Sequence, residues 1–147
     1  MKNTFALITI LSALTLTACA DDKPITFDQL PQQAQTILTQ HAEPAQIMFI
    51  TQDGIGPFAD YDVTMNNMDK WEFDGDGSID NIKMMSGQPV PAGVIPAPIA
   101  QVVTQRYPGM IIVKYSVDHD DYEVQLNNRV ELKFSKSFQL IGMDLDD

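Results

Sequence analysis

Apolar residues recur at helical spacing in two separate stretches of the chain. The stretches are residues 30–41 and 95–107, and each has apolar side chains at its first position and four, seven and eight residues later. This spacing predicts two amphipathic helices. Pro44 and Pro108 follow the stretches and are expected to end the helices, because proline lacks an amide hydrogen and its ring clashes with the preceding turn.

Strand patterns follow each predicted helix. Residues 47–51 and 111–117 are rich in β-branched and other apolar side chains, and residues 61–65 alternate between apolar and polar. These patterns predict strands, the alternating one with a single buried face. The asparagine pairs at 66–67 and 127–128 predict tight turns, since asparagine tolerates a positive φ.

The two halves of the chain align with each other. Tyr61-Asp62-Val63 matches Tyr122-Glu123-Val124 at a shift of 61 residues, whereas the helical stretches match at a shift of 65. The difference places an insertion near residues 54–57 of the first half. The pattern predicts an α+β fold of two tandem α-β-β-β-β repeats, with the helices on one face of an antiparallel sheet. The expected parts are a signal peptide (1–18), an N-terminal tether (19–26), a first repeat (27–85), a linker (86–92) and a second repeat (93–147).

The order of motifs resembles a known family. Each half has Leu-Pro or Ile-Pro before an apolar helix, then Tyr-Asp-Val or Tyr-Glu-Val, an Asn-Asn turn and a strand ending in Phe. This order resembles the PepSY-like family of Bacteroidota envelope proteins, which are similar to the beta-lactamase inhibitor protein. The resemblance covers about residues 27–147. It implies two helix-and-sheet subdomains that form one concave sheet surface, and protein binding or inhibition as the function.

The first residues predict an address in the bacterial envelope. A start containing Lys2 precedes an apolar run at residues 5–16, which suits a signal peptide and is too short to span a bilayer. Residues 16–19 (Leu-Thr-Ala-Cys) look like a lipobox, so Cys19 is the predicted lipidation site. We expect an envelope lipoprotein at the outer membrane, facing the periplasm or the cell surface, in contact with the membrane through its lipid anchor only.

Composition excludes several classes of protein. The net charge of −11 argues against nucleic-acid binding, because a phosphate backbone is bound by basic residues. The single cysteine excludes a disulfide framework within the chain. The sequence contains no recognisable set of nucleophile, base and orienting group, so we expect a protein that is not an enzyme and uses no cofactor.

The most suggestive local motif is the segment from Glu72 to Asp80. Its oxygens and its glycine follow the spacing of a calcium loop, which makes Asp74, Asp76 and Asp80 candidate ligands. Lys83 stands where such a loop needs a bidentate glutamate. We therefore favour an Asp-Gly hairpin turn and keep calcium binding as the alternative.

Four further residues are candidates for contact with a partner. Asp118, Asp120 and Asp121 form an acidic finger around His119 that would suit a basic cleft, although such a cluster is also typical of a solvated turn and offers ligands for a metal. Trp71 is a candidate interface anchor, but strand alternation places it with Phe73 on a buried face.

These observations lead to one hypothesis and one alternative. The hypothesis is a lipid-anchored, non-enzymatic module that binds an unidentified envelope protein or peptide. One form of such binding is inhibition of an envelope enzyme such as a peptidase. The alternative is an envelope module that binds calcium or a small ligand through the Asp-rich hairpin.

Overall fold

The computed structural model describes residues 22–145. Within them the chain forms two helices and nine strands, in the order β1, α1, β2 to β5, α2, β6 to β9. The helices are α1 (Gln32–His41) and α2 (Ala97–Arg106). The strands are β1 (Lys23–Ile25), β2 (Ile47–Asp53), β3 (Asp60–Met65), β4 (Lys70–Phe73), β5 (Ile79–Lys83), β6 (Ile112–Val117), β7 (Asp121–Leu126), β8 (Val130–Ser135) and β9 (Leu140–Leu145).

All nine strands form one antiparallel sheet in chain order. A helix followed by four strands occurs twice along the chain, and the two halves meet where β5 pairs with β6. The predicted α+β class and antiparallel sheet are confirmed. Both helices begin two residues later than the apolar pattern suggested, because Leu30 and Ile95 directly precede Pro31 and Pro96 and are therefore held in extended conformations.

A row of apolar residues, one from each strand, runs across the covered face of the sheet. The seven inner members of this row are buried and share a hydrophobic cluster with Ala34 and Leu38 of α1 and with Ile99 and Val103 of α2. Both helices therefore pack on this face, and no helix of residues 22–145 lies on the opposite face. Across the strands the row is Ile25, Ile50, Val63, Trp71, Ile82, Tyr115, Val124, Leu132 and Met143.

The Asn-Asn segments form turns, but not for the reason that we expected. The residues with positive φ are Met68 (φ 71°) and Arg129 (φ 70°), each directly after its asparagine pair. The second asparagine of each pair instead acts through its side chain. Asn67 Oδ1 accepts a hydrogen bond from the Asp69 amide at 3.1 Å, and Asn128 Oδ1 accepts one from the Val130 amide at 3.3 Å. Side-chain acceptance of a nearby amide, rather than tolerance of positive φ, is the contribution of asparagine here.

Two segments predicted as connections are held to the sheet. Part of the segment predicted as a tether forms β1, whose Ile25 lies opposite Ile50 of β2. A strand of three residues carries no readable periodicity, which is why the sequence pattern missed it. In the segment predicted as a linker, the amide and hydroxyl of Ser86 donate to the buried carboxylate of Asp69 at 2.8 and 3.0 Å. The two halves are thus joined by a fixed connection.

Candidate functional site

The face of the sheet opposite the two helices carries mainly polar residues. The strand registers place its residues in two rows that run across both halves. The first row consists of Thr51, Asp62, Glu72, Asn81, Ser116, Glu123, Lys133 and Gly142. The second consists of Phe49, Thr64, Lys70, Lys83, Lys114, Gln125, Glu131 and Asp144. We call this surface the open face.

Three lysines stand side by side at the centre of the open face. Lys70 lies opposite Lys83, and Lys83 lies opposite Lys114, so neighbouring strands present like charges to each other. Within residues 22–145, no carboxylate lies within 4.0 Å of any of the three ammonium groups. Like charges directly opposite each other destabilise a sheet. The row of lysines therefore carries a cost. Burial and neighbouring carboxylates raise the pKa of Asp62 on the same face, and the charge of Lys70 partly counteracts this rise, but none of the three lysines has an ion pair within 4.0 Å among the described residues.

A different lysine is tightly paired near one end of the open face. Lys133 Nζ lies 3.0 Å from Asp121 Oδ2 and 3.1 Å from Glu123 Oε1. Its hydrogen bonds to Asp121 and then Glu123 raise the pKa of Lys133 above its ordinary value. The other oxygen of the Asp121 carboxylate is buried and has no hydrogen-bond partner among the described residues. Single oxygens of Asp118, Asp121 and Glu123 lie within 4.8 Å of one another, close enough to share a metal ion.

Acidic residues from both halves meet at this end of the sheet. Burial raises the pKa of Asp80 above its usual value, and the negative charges of Asp74, Glu72, Asp118 and Asp60 raise it further. Asp118 belongs to the second half of the chain, whereas the other four belong to the first. Pairing of β5 with β6 therefore creates one acidic region from loops that are distant in sequence.

The Asp-rich segment of the first half forms a hairpin turn. The amide of Gly77 donates to the Asp74 carbonyl at 2.8 Å, and the amide and hydroxyl of Ser78 donate to Asp76 Oδ1 at 2.8 and 2.6 Å. These bonds from Ser78 lower the pKa of Asp76. Gly77 has a φ of +85°, and a Cβ there would lie 2.8 Å from Pro31 Cβ, so the turn requires glycine. The Asp76 carboxylate is therefore already used within the turn.

The candidate partner-contact residues do not share one surface. Asp118 and Asp120 are exposed at the β6–β7 turn, where His119 lies 3.8 Å from Asp120. Asp121, in contrast, is mostly buried beneath Lys133. Trp71 is 2% exposed and stacks on Phe73, so its assignment as a partner contact is corrected to a core residue. Its position in the apolar row of β4 is the physical reason.

Two groups of surface residues were not predicted from the sequence. The sequence alone does not reveal the row of three lysines, because they are distant in sequence and become neighbours only through the strand register. Ile55 and Phe58 are 83% and 87% exposed in the β2–β3 loop, which the alignment of the two halves marks only as an insertion near residues 54–57. Cys19 and the predicted signal peptide lie outside the described residues. No helix within residues 22–145 is long and apolar enough to cross a membrane.

Comparison with known proteins gives one matching family model and several similar structures. The family model described as "Putative beta-lactamase-inhibitor-like, PepSY-like" matches residues 59–142. A "putative calcium-regulated periplasmic protein" of Bacteroides thetaiotaomicron is 37% identical with a TM-score of 0.77, and the match covers 84% of this chain and 96% of that one. A "putative periplasmic protein" of Bacteroides vulgatus is 36% identical with a TM-score of 0.79, covering 86% and 98%.

A third solved structure supports the fold alone. It is another periplasmic protein of Bacteroides vulgatus, described as putative and of unknown function, with 23% identity, a TM-score of 0.75 and coverage of 84% of this chain and 99% of that one. No curated protein sequence matches this chain.

Removing the charge of Asp80 is expected to stabilise the protein at neutral pH. The pKa of Asp80 is higher in the folded state than in the unfolded state, so ionisation of this carboxyl destabilises the folded protein at neutral pH. This cost disappears as the pH falls through the pKa of the folded state and then through that of the unfolded state. Asp80→Asn should therefore raise the midpoint of thermal unfolding at neutral pH, with a gain that shrinks in acid.

The variant Asp76→Asn is the matched comparison, and its midpoint of thermal unfolding should change in the opposite direction. Because the pKa of Asp76 is lowered in the folded state, its carboxylate contributes stability above the unfolded pKa, and this contribution is lost as the pH falls through the folded pKa. Asp76→Asn should lower the midpoint at neutral pH and have less effect in acid. Shifts of the same sign in both variants would contradict this account of the acidic end.

Proposed function

Because this chain belongs to the PepSY-like family, we propose that it is a non-catalytic module of the cell envelope that binds another protein or peptide through the open face of its sheet. The observation that carries the proposal is the row of Lys70, Lys83 and Lys114 on the face without helices. These lysines lack ion pairs of 4.0 Å or less within residues 22–145. A partner with carboxylates at matching positions would offset their mutual repulsion.

The distribution of charge on the open face supports recognition of a partner with both signs of charge. The row of lysines lies in the middle strands, and the acidic region around Asp80 and Asp118 lies at one end. Such an arrangement favours one orientation of a partner over others, because a reversed partner would bring like charges together. Inhibition of an envelope enzyme, for example a peptidase, is the specific form that we propose, and the family's description as beta-lactamase-inhibitor-like supports inhibition. The proposed repeats, as copies of one α-β-β-β-β unit, would each supply half of this surface.

Reversing the three lysines tests the proposed surface. Lys70→Glu/Lys83→Glu/Lys114→Glu should weaken capture of partner proteins from envelope extracts about tenfold or more, since exposed ion pairs contribute up to about 1 kcal/mol each and about 1.4 kcal/mol corresponds to tenfold. The matched control is Lys23→Glu/Arg106→Glu/Arg129→Glu, which changes the net charge equally at exposed residues elsewhere. Quantitative mass spectrometry after cross-linking measures the captured proteins. Identical captured sets for the two variants would contradict the proposal.

We also propose that Cys19 anchors the protein to the envelope through lipid. The apolar leader and the Leu-Thr-Ala-Cys motif support this proposal, and the periplasmic descriptions of the solved relatives support an envelope address. Cys19→Ala should move the mature protein from the membrane fraction to the soluble periplasmic fraction. Ala20→Ser is the control that leaves the thiol in place. Retention of the Cys19→Ala variant in membranes would refute the anchor.

Calcium binding is a second candidate, favoured by one specific observation. Asp118, Asp121 and Glu123 bring carboxylate oxygens within 4.8 Å of one another, and one oxygen of Asp121 is buried without a partner among the described residues. The description of the 37% identical relative as calcium-regulated supports the same candidate. Lys133 holds two of these carboxylates, so a calcium ion would have to displace its ammonium group. This cluster is a better candidate than the hairpin, whose Asp76 is occupied by Ser78.

A calcium titration separates the two acidic segments. If the cluster binds calcium, the ion should raise the midpoint of thermal unfolding of the wild type, because a ligand that binds only the folded state stabilises it. Asp121→Asn should remove this shift, whereas Asp76→Asn should keep it. Loss of the shift in Asp76→Asn alone would assign calcium to the hairpin. A wild-type midpoint unchanged by calcium would refute both sites.

A further inference from the structure

The two edges of the sheet differ in how well they are protected. At one edge, β1 is only three residues long and contains Pro24, which has no amide hydrogen, and Lys23. Short strands, proline and lysine are the features by which proteins prevent pairing with another chain. At the other edge, β9 is six residues long and contains neither proline nor a basic residue. Among residues 22–145, no strand pairs with the outer side of β9.

On the side of the helices, β9 continues the apolar core without being covered. Met143 lies opposite the buried Leu132, and Leu145 lies opposite the buried Val130. Met143 and Leu145 are nevertheless 67% and 69% exposed. The Tyr107 hydroxyl, directly after α2, lies 3.1 Å from Met143 Sδ, which places this side chain at the margin of the covered face. Apolar side chains on one more strand would therefore extend the core and bury these residues.

On the open face, β9 borders an acidic cavity. The cavity has a volume of about 280 Å³ and is lined by Glu123, Glu131, Lys133, Gly142, Met143 and Asp144. Gly142 contributes no side chain, so space remains above the backbone of the edge strand. Glu131 and Asp144 lie directly opposite each other, and within the described residues neither carboxylate has a basic group within 4.0 Å. Opposed carboxylates are destabilising unless a cation joins them.

We propose that β9 receives an extended segment of the partner as an added strand, with a lysine or arginine placed over Gly142 and apolar residues on both sides of it. The proposal rests on the function proposed above and specifies a second contact surface for it. Side chains of a strand alternate between the two faces of a sheet. The basic side chain thus reaches Glu131 and Asp144, and the apolar residues one and three positions away from it lie beside Met143 and Leu145. Backbone hydrogen bonds to the free edge supply affinity, and the side chains supply selectivity.

The charges of β9 favour a foreign segment over a second copy of this chain. Residues 140–145 contain an aspartate and no lysine or arginine. Pairing of β9 with itself would therefore bring Asp144 of the second copy, and Glu131 beside it, to an edge where Glu131 and Asp144 already lack a basic group within 4.0 Å among the described residues. A segment with a basic residue neutralises this edge, whereas a second copy adds to its negative charge.

The test uses a short synthetic peptide in which valine and threonine alternate and arginine replaces the central threonine. Calorimetry should show binding about tenfold or more tighter than that of the same peptide with glutamate at the centre, because arginine forms charged hydrogen bonds with Glu131 and Asp144 whereas glutamate adds a like charge. Tenfold corresponds to about 1.4 kcal/mol. Amide hydrogen exchange in β9 should become slower when the arginine peptide is bound. No binding, equal binding of both peptides, or protection elsewhere in the sheet would overturn the proposal.

Two variants at Gly142 make the test specific. Gly142→Arg should abolish peptide binding, because its own guanidinium group would occupy the acidic cavity. Gly142→Ala should bind like the wild type, since a Cβ there lies at an ordinary contact distance of 3.5 Å from Lys133 Cβ. Unfolding midpoints confirm that both variants are folded. Equal binding by wild type and Gly142→Arg would overturn the proposal, and so would a wild-type dimer whose β9 amides are protected without peptide.

Capture from envelope extracts distinguishes failure of the proposal for the β9 edge from failure of the proposal for the open face. If Gly142→Arg keeps its partners and the variant with three reversed lysines loses them, the edge proposal is overturned and the open face stands. If Gly142→Arg loses its partners and the lysine variant keeps them, the edge is supported and the role of the lysines is refuted.

Discussion

Antiparallel pairing of β5 with β6 is the interaction on which the rest of the structure depends. Only three register pairs join the halves: Asn81 with Ser116, Ile82 with Tyr115, and Lys83 with Lys114. The middle pair is buried, with Ile82 at 0% and Tyr115 at 3% exposure. Without this pairing each half would have an additional unprotected edge and a small core of its own, and small cores are marginal in stability.

Polar contacts reinforce this junction on both faces. On the open face, the Ser116 hydroxyl donates to Asn81 Oδ1 at 2.9 Å, and Asn81 Nδ2 donates to Glu72 Oε2 at 3.1 Å. These bonds link side chains of β4, β5 and β6. Near the covered face, the buried Asp69 carboxylate accepts from Ser86 at the start of the connection between the halves. Charged hydrogen bonds of this kind are strong and costly to break when buried, so the position of the connection is well determined.

The surfaces to which we assign candidate functions also depend on the pairing of β5 with β6. Lys83 and Lys114 stand opposite each other only because β5 pairs with β6, and the charge of Asp118 reaches Asp80 for the same reason. The edge at β9 is likewise the far end of a single sheet that begins at β1. The binding that we propose for the open face would therefore be a property of the joined sheet and not of either half.

The spacing of apolar residues predicted most of the helices and strands, but not which side chains lie next to each other on neighbouring strands. The helices and the burial of Trp71 with Phe73 were readable because spacing along one element decides which side chains share a face. The adjacency of Lys70, Lys83 and Lys114 was not readable, because it depends on the register between strands. The turns at Asn67 and Asn128 were correctly located, but their mechanism required the positions of individual hydrogen bonds. β1 escaped prediction because three residues, one of them Pro24, give no alternation.

The most direct test of this account is whether the two halves unfold together. Trp71 is the only tryptophan in the chain, so its fluorescence reports the first half, and hydrogen exchange at Val124 and Leu132 reports the second. Both probes should give the same free energy of unfolding when measured across a urea series, because a single sheet and a shared core make unfolding cooperative. Two separate free energies, with one half remaining protected after Trp71 becomes exposed, would contradict the account.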